Sequence, residues 1–389
     1  MKMNMKEEIR EHLTRDLLPF WKSLRDDARG GYVGYVGYDL RKDPDAERGC
    51  ILNSRILWFF SNAYLTLGDE TALREADHAY EALLTMLDPC NGGVYWSMNA
   101  DGTVFDPTKH TYNQAFAIYA LSAYGKAGGR RAPLEQAKAL YRLIETKCRD
   151  AGGYLEAQTA DWKPMSNEKL SENGVMASRT MNTLLHVMEG YTGLYEATGD
   201  PEVRASLYEI MDTLETKIWN PEKRRQEVFF DADWHTLIDL HSFGHDIETS
   251  WLADHTLDVL GDEALTARIR PLLLAMADET LKLAFTEGNG FSAEMERGRV
   301  DTTRVWWVQA EALLGFLNAW RHTGEARFLK AAESQWAYIR DHVIDRRCGE
   351  WFWSLREDGT PTGKPVVEPW KCPYHNGRMC FEVIKRLGK

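Results

Sequence analysis

No stretch of this chain reaches the apolar length of a membrane span, so a bilayer-crossing helix is not expected. Basic residues are the minority, 47 Lys and Arg against 59 Asp and Glu, which leaves a net charge of −12. That balance excludes the basic footprint of a nucleic-acid binder and disfavours an anionic membrane surface. The six cysteines, at positions 50, 90, 148, 348, 372 and 380, are scattered and form no CxxC pair. In a chain of 389 residues they read as reduced thiols of a cytoplasmic protein. The opening segment Met1-Lys2-Met3-Asn4-Met5-Lys6-Glu7-Glu8 is charged rather than apolar, so no signal peptide is expected.

Aromatic residues are plentiful, with 14 Trp and 16 Tyr. Buried indoles and phenols need partners for their N–H and O–H groups, so such a content suggests a polar cavity with aromatic walls. Wide helix interfaces filled with rings account for part of it.

Two repeats interleave along the chain. One is glycine followed by aromatics: Gly30-Gly31-Tyr32, Gly92-Gly93-Val94-Tyr95-Trp96, Gly152-Gly153-Tyr154, Gly290-Phe291 and Gly349-Glu350-Trp351, with a degenerate copy at Val228-Phe229-Phe230-Asp231. Each reads as a tight turn beside a short strand, at a spacing of about 60 residues that marks an array. The other is a helix stop followed by a start: Gly68-Asp69, Gly199-Asp200-Pro201, Gly261-Asp262 and Gly324-Glu325, with a looser copy at Gly128-Gly129. Glycine ends one helix and Asp can cap the next.

Between these signals lie twelve helical stretches, at 5–27, 51–67, 70–87, 107–127, 131–147, 174–198, 201–217, 245–260, 263–285, 301–323, 325–342 and 373–387. Six pairs with alternating linkers predict an all-α fold, an (α/α)6 barrel with short β-hairpins at the active-site end. Helices after the aromatic turns are apolar nearly all round and are expected inside. Those after the Gly-Asp links carry a charged face and are expected outside. No composition break divides the chain, so residues 1–389 are expected to form one catalytic domain.

The candidate chemistry gathers at the starts of the inner helices. Trp370-Lys371-Cys372-Pro373-Tyr374-His375-Asn376-Gly377-Arg378 is poor core material, because buried charges are costly unless paired. Arg55 precedes an apolar run and reads either as a structural ion partner or, preferably, as a cation facing an oxyanion. Tyr112 could donate to a sugar hydroxyl or be a satisfied core residue. Asn182 and His186 share one helix face and suggest cavity lining. In His241…His245…Glu248 the readings are helix capping, a zinc site, or an acid/base His245 oriented by Glu248, which is preferred. The pattern is not HExxH and no further ligand cluster supports it, so no metal is expected. Trp306, Trp307 and Glu311 lie on one helix, and Glu311 shares a face with Trp307.

Two carboxylates, Glu248 and Glu311, would serve a glycosidase, but that leaves the histidines without a task. Proton transfer at a carbon beside a carbonyl uses them both. One histidine removes the C2 proton of an opened aldose, Arg55 stabilises the enediolate, and the other returns a proton to the opposite face. Such a 2-epimerisation needs no cofactor.

The segments Asn53-Ser54-Arg55-Ile56-Leu57-Trp58-Phe59, Lys109-His110-Thr111-Tyr112-Asn113, His241-Ser242-Phe243-Gly244-His245-Asp246-Ile247-Glu248, Arg304-Val305-Trp306-Trp307-Val308-Gln309-Ala310-Glu311 and 369–378 resemble the N-acylglucosamine 2-epimerase superfamily over essentially the whole chain. The similarity is greatest to its branch acting on β-1,4-linked disaccharides. The resemblance implies an (α/α)6 barrel that converts the reducing-end glucose of β-1,4-linked disaccharides to mannose, acting on cellobiose and also on lactose and mannobiose. By motif position it implies His245 and His375 as the acid/base pair, with Arg55 and His186 at the C1–C2 region. Trp307 and Trp370 would hold the two sugar units, and Tyr112, Asn182, Glu248, Trp306 and Glu311 would complete the pocket. The segment Ser171-Glu172-Asn173-Gly174 would shape the substrate's far end. A monomer is expected, with a small disaccharide as its partner. Other readings are an N-acylglucosamine epimerase, an aldose–ketose isomerase, and a carbohydrate-binding protein without turnover.

Overall fold

The computed structural model describes residues 2–171 and 173–388; Glu172, within the expected 171–174 segment, lies outside the described residues. Helices alternate around a closed ring. The outer ones are α1 (residues 2–22), α3 (Glu70–Thr85), α5 (Arg131–Lys147), α7 (Pro201–Thr213), α9 (Glu263–Leu283) and α11 (Ala326–Tyr338). The inner ones are α2 (Cys50–Leu67), α4 (Thr111–Gly128), α6 (Met181–Thr198), α8 (Phe243–Leu260), α10 (Trp306–Thr323) and α12 (Tyr374–Arg386). Burial follows the hydropathy pattern. In α2 every residue from Cys50 to Ala63 is buried, whereas α3 buries only Ala72, Ala76, Ala79 and Leu83, one stripe at helical spacing. Helix α12 packs on both α10 and α2, which closes the ring.

The turn chemistry acts as the sequence implies. Gly68, Gly129, Gly199, Gly261 and Gly324 adopt the left-handed conformation that ends α2, α4, α6, α8 and α10. Asp69, Asp200 and Asp262 then accept a backbone N–H at the start of the following outer helix. Glu325 does not cap: its longer side chain makes no such bond.

At the other end, strands of two or three residues brace the starts of the inner helices. Arg48–Gly49 before α2 pairs with Ser97–Met98, and Lys109–His110 before α4 pairs with Ala157–Gln158. Likewise Arg179–Thr180 pairs with Phe229–Phe230, Leu240–Ser242 with Glu294–Glu296, and Arg304–Val305 with Ser354–Leu355. Each partner belongs to the next repeat, so every inner helix is tied to its neighbour. A bridge between Val36 and Val367 completes the circle.

This bracing explains where the helix expectations miss. Starts at 107, 174 and 301 move to 111, 181 and 306, because the preceding residues pair as strands instead. The first helix stops at Lys22 rather than 27, where Arg25 bridges Tyr32. Val228-Phe229-Phe230-Asp231 is not the missing aromatic turn either. That hairpin is Trp219–Asn220 with Arg225–Gln226, and Arg224 takes the left-handed place (φ 52°) filled by glycine elsewhere.

One buried carboxylate anchors the last hairpin to α12. Glu350 accepts from Trp21 Nε1 (2.6 Å), Lys371 Nζ (2.9 Å) and Asn376 Nδ2 (2.6 Å), and both Glu350 and Lys371 are fully buried. Lys371 is therefore a structural cation. Glu350→Ala strands that charge and is expected to lower unfolding free energy by about 3–5 kcal/mol in chemical denaturation. A loss under 1 kcal/mol would contradict the role.

Candidate active site

The braced ends of the inner helices enclose a funnel of about 480 Å³. Arg55, Tyr112, Asn182, His186, His245, Glu248, Trp306, Trp307, Trp370 and His375 all line it. Every site residue expected from the sequence except Glu311 therefore faces one cavity. Lys169, Glu294, Trp353 and Lys364 join the lining from the hairpins, and were not singled out from the sequence.

Arg55 is buried near the N-terminal end of α2. Its guanidinium donates to the Tyr112 hydroxyl (2.9 Å) and lies 4.1 Å from the Phe116 ring centroid. Its polar partners among the described residues are the Trp370 carbonyl, Cys372 Sγ and the Tyr112 hydroxyl, none of them a carboxylate, so its charge is free to meet an anion in the funnel. Tyr112, accepting from Arg55, keeps its own proton for a further bond.

His375 and His186 share one construction. His375 Nδ1 lies 2.8 Å from Glu311 Oε1, and His186 Nδ1 lies 2.9 Å from Glu189 Oε2. A carboxylate at Nδ1 fixes the proton there and leaves Nε2 with a lone pair. Burial holds both rings neutral: His186 falls to about 4, and His375 lies well below its ordinary value, with Arg378 and Arg55 adding to desolvation. His245 differs. Its Nδ1 meets the Ser242 hydroxyl at 2.7 Å, a partner able to donate or accept, and burial lowers its pKa to about 3. Trp307 packs against both histidines, with ring centroids 4.8 Å from His245 and 5.4 Å from His375. Gly244 permits this: a Cβ there would meet the Trp307 ring at 2.5 Å.

Beneath the histidines, Arg378 gathers three buried carboxylates. It donates to Glu189 and Glu248, and to Glu311 Oε1 at 2.7 Å; the Tyr374 hydroxyl also bonds Glu189. Burial alone would raise Glu189, but Arg378 and His186 bring it down to about 2. Glu248 goes the other way, pushed up to about 8 by burial and then by the charge of Glu311, and its Oε2 has no partner among the described residues. The reason is electroneutrality: three carboxylates cannot all ionise around one guanidinium in a dry site. Glu311 is raised as well, chiefly by burial, and Glu248, pushed further, is the member of the pair that holds the proton.

The expectation that Glu248 orients His245 is thus corrected. Glu248 is drawn to Arg378 of α12 and lies 3.8 Å from His375, leaving Ser242 to orient His245. Glu311, expected in the pocket wall, stands behind His375. His241 belongs to a strand, pairs with Asp246 (2.8 Å) and is structural. Glu248, Glu311 and His375 bring ligand-type atoms within 4.8 Å, the density a metal ion would need. The Arg378 guanidinium already bonds both carboxylates and supplies that positive charge. Glycoside cleavage fits poorly as well, because its two carboxylates must flank the bond whereas these are joined through Arg378. Glu189 and Ser242 were missed in the sequence. Glu189 had a signal, since it lies three residues after His186 on the same helix face.

The pH dependence follows. Neutral His375 and His245 persist to well below the ordinary histidine range, while Glu248 loses its proton near 8. The kcat/KM profile is expected to hold on the acid side down to about pH 5 and to fall on the alkaline side near pH 8. Glu248→Gln keeps the neutral form, so the alkaline fall should disappear or move upward. An alkaline limb unchanged in the variant would contradict the assignment.

Comparison with known proteins places this geometry. Residues 30–377 match the family model described as N-acylglucosamine 2-epimerase (GlcNAc 2-epimerase). A curated cellobiose 2-epimerase of Eubacterium cellulosolvens is 48% identical, covering 97% of this chain and 98% of its own. The structure of cellobiose 2-epimerase from Bacillus thermoamylovorans B4167 superposes with a TM-score of 0.95 at 42% identity, covering 99% of this chain and 100% of that one. A D-mannose isomerase structure matches at a TM-score of 0.82 and 21% identity, covering 99% of this chain and 98% of its own, a likeness of fold. The chain belongs to the N-acylglucosamine 2-epimerase family.

Proposed function

We propose that this protein is a cellobiose 2-epimerase, inverting C2 of the reducing-end glucose of β-1,4-linked disaccharides without a cofactor. The observation that carries the reading is the pair His375 and His245, both facing one funnel and both packed against Trp307. Relatives bearing that name at 44–48% identity across nearly the full chain support the substrate class.

In the proposed reaction the opened sugar lies with C2 between the two rings. His375 Nε2 removes the C2 proton, and the electron pair moves into a C1–C2 double bond. Negative charge passes to O1, where Arg55 and the Tyr112 proton receive it. Glu311 accepts the Nδ1 proton of the imidazolium so formed, and Arg378 keeps Glu311 in place. His245, which takes up a proton from solvent as the enediolate's negative charge develops, delivers its Nε2 proton to the opposite face of C2; the double-bond electrons form the new C–H bond, the C1 carbonyl re-forms, and the proton left on the His375–Glu311 pair returns to solvent. Burial disfavours the charged His245 in the empty site; the enediolate's charge offsets that during reaction. The reverse sequence converts mannose back to glucose. Trp370 and Trp307 offer flat faces to the two sugar units; lactose presents the same reducing-end glucose, and mannobiose the mannose that the inversion interconverts with it.

We also infer that the protein acts as a monomer in the cytoplasm, as one catalytic unit. Support comes from a funnel lined by one chain and from cysteines that are all free thiols. Among the described residues no helix is long and apolar enough to cross a membrane.

Incubation with cellobiose in D2O, followed by proton NMR, tests the reading. Mannose-type anomeric signals with deuterium at C2 are expected, and His375→Ala and His245→Ala are each expected to lose at least about 100-fold in kcat with the fold intact by circular dichroism. Unchanged sugar with the native protein would remove cellobiose as a substrate. A variant keeping most of its activity would remove the acid/base assignment.

A further inference from the structure

The opposite end of the ring holds a second cavity, of about 760 Å³, larger than the catalytic funnel. It opens where the inner helices end, and its volume lies in the range of small-molecule pockets. The helix ends of any such ring leave some space between them. Three features make this one a site.

First, its walls are aromatic at depth. Trp58 and Trp251 are 5% and 2% exposed, and Trp58 stacks on Tyr119 with ring centroids 5.4 Å apart. Secondly, polar atoms are left over. The Tyr119 hydroxyl has no hydrogen bond among the described residues, and Asn62 uses its amide N–H on the Trp58 carbonyl while its oxygen stays unengaged. Thirdly, its charges are balanced. Glu196 pairs with Lys126 (3.3 Å) and His255 (3.6 Å), Glu382 with Lys385 and Arg386 (3.2 Å each), and Asp258 with Arg321 (3.3 Å). Flat rings, spare hydrogen-bonding groups and no free charge suit an uncharged polyol rather than an ion.

The floor of this cavity is the underside of the active site. Glu189, Arg378 and Trp251 line it. Glu189 holds His186, Arg378 holds Glu248 and Glu311, and Trp251 Nε1 donates to Glu311 Oε2 at 2.8 Å. Every group that fixes Nδ1 of His186 or His375 is thus bonded to, or is itself, a residue lining the far cavity. A ligand there can act on catalysis to the extent that it prefers one arrangement of these side chains.

We propose that this far-end cavity is a second binding site for an uncharged, hydroxyl-rich molecule of mono- or disaccharide size, coupled to the catalytic histidines through Glu189, Arg378 and Trp251. The inference does not depend on which sugar the funnel turns over.

The test uses two plugging variants at partly exposed wall positions outside the catalytic set, Leu65→Trp and His255→Trp, with cellobiose and its reduced, non-epimerisable alditol as probes. Isothermal titration of the native protein should show a binding event that survives Trp370→Ala in the funnel and is lost in either plugging variant. Filling it with the alditol should change kcat, which competition in the funnel leaves alone, several-fold in the native protein and in neither plugged variant. Binding that is lost entirely in Trp370→Ala, or that persists when either plug is combined with Trp370→Ala, would overturn the proposal. Absence of turnover with retained, plug-sensitive binding would refute the epimerase reading alone.

Discussion

The site depends on one buried guanidinium. Arg378 is 1% exposed and meets Glu189, Glu248 and Glu311 at once. Burying one such pair is of small net benefit, but removing a partner from it costs about 3–5 kcal/mol. Here the partners carry further duties. Two of the carboxylates set the tautomers of His186 and His375, and the third is driven to hold a proton. A planar, permanently charged fork is what such a junction needs, and lysine would provide neither the geometry nor the several donors.

Everything around it serves to bring those groups to one point from four different helices. Glu189 comes from α6, Glu248 from α8, Glu311 from α10 and Arg378 from α12. Parallel inner helices, each braced at its start by a strand from the next repeat, fix the depth of each residue along the ring axis. The hairpins place Trp353 and Lys364 at the rim, while the Gly-terminated ends leave the larger hollow on the far side. Catalytic funnel and far cavity then share a single charged layer, so the same residues that fix the histidines separate the two ends.

Much of this was legible in the sequence, for identifiable reasons. Inner helices announce themselves because α2 and α10 are apolar on every face, and Gly68-Asp69 or Gly261-Asp262 give unambiguous stops and starts. Their beginnings were not legible, since Lys109–His110 and Arg179–Thr180 are strands only by virtue of partners some fifty residues later. Local spacing finds His245, Trp307 and His375 but not who orients them. His245 and Glu248 share a helix face, yet Glu248 answers to an arginine 130 residues away. Ser242 gives no signal at all, because a serine ahead of a helix reads first as a cap, and here its hydroxyl turns to His245 instead.

The central claim is that carboxylates held by Arg378 fix the proton on Nδ1 of His186 and His375 and leave Nε2 bare. Long-range nitrogen–proton NMR on protein labelled with 15N-histidine reads this directly at neutral pH. The account predicts that both residues show a protonated Nδ1 and a pyridine-like Nε2. Signals with the proton on Nε2, or a doubly protonated His375 in the free protein, would contradict it.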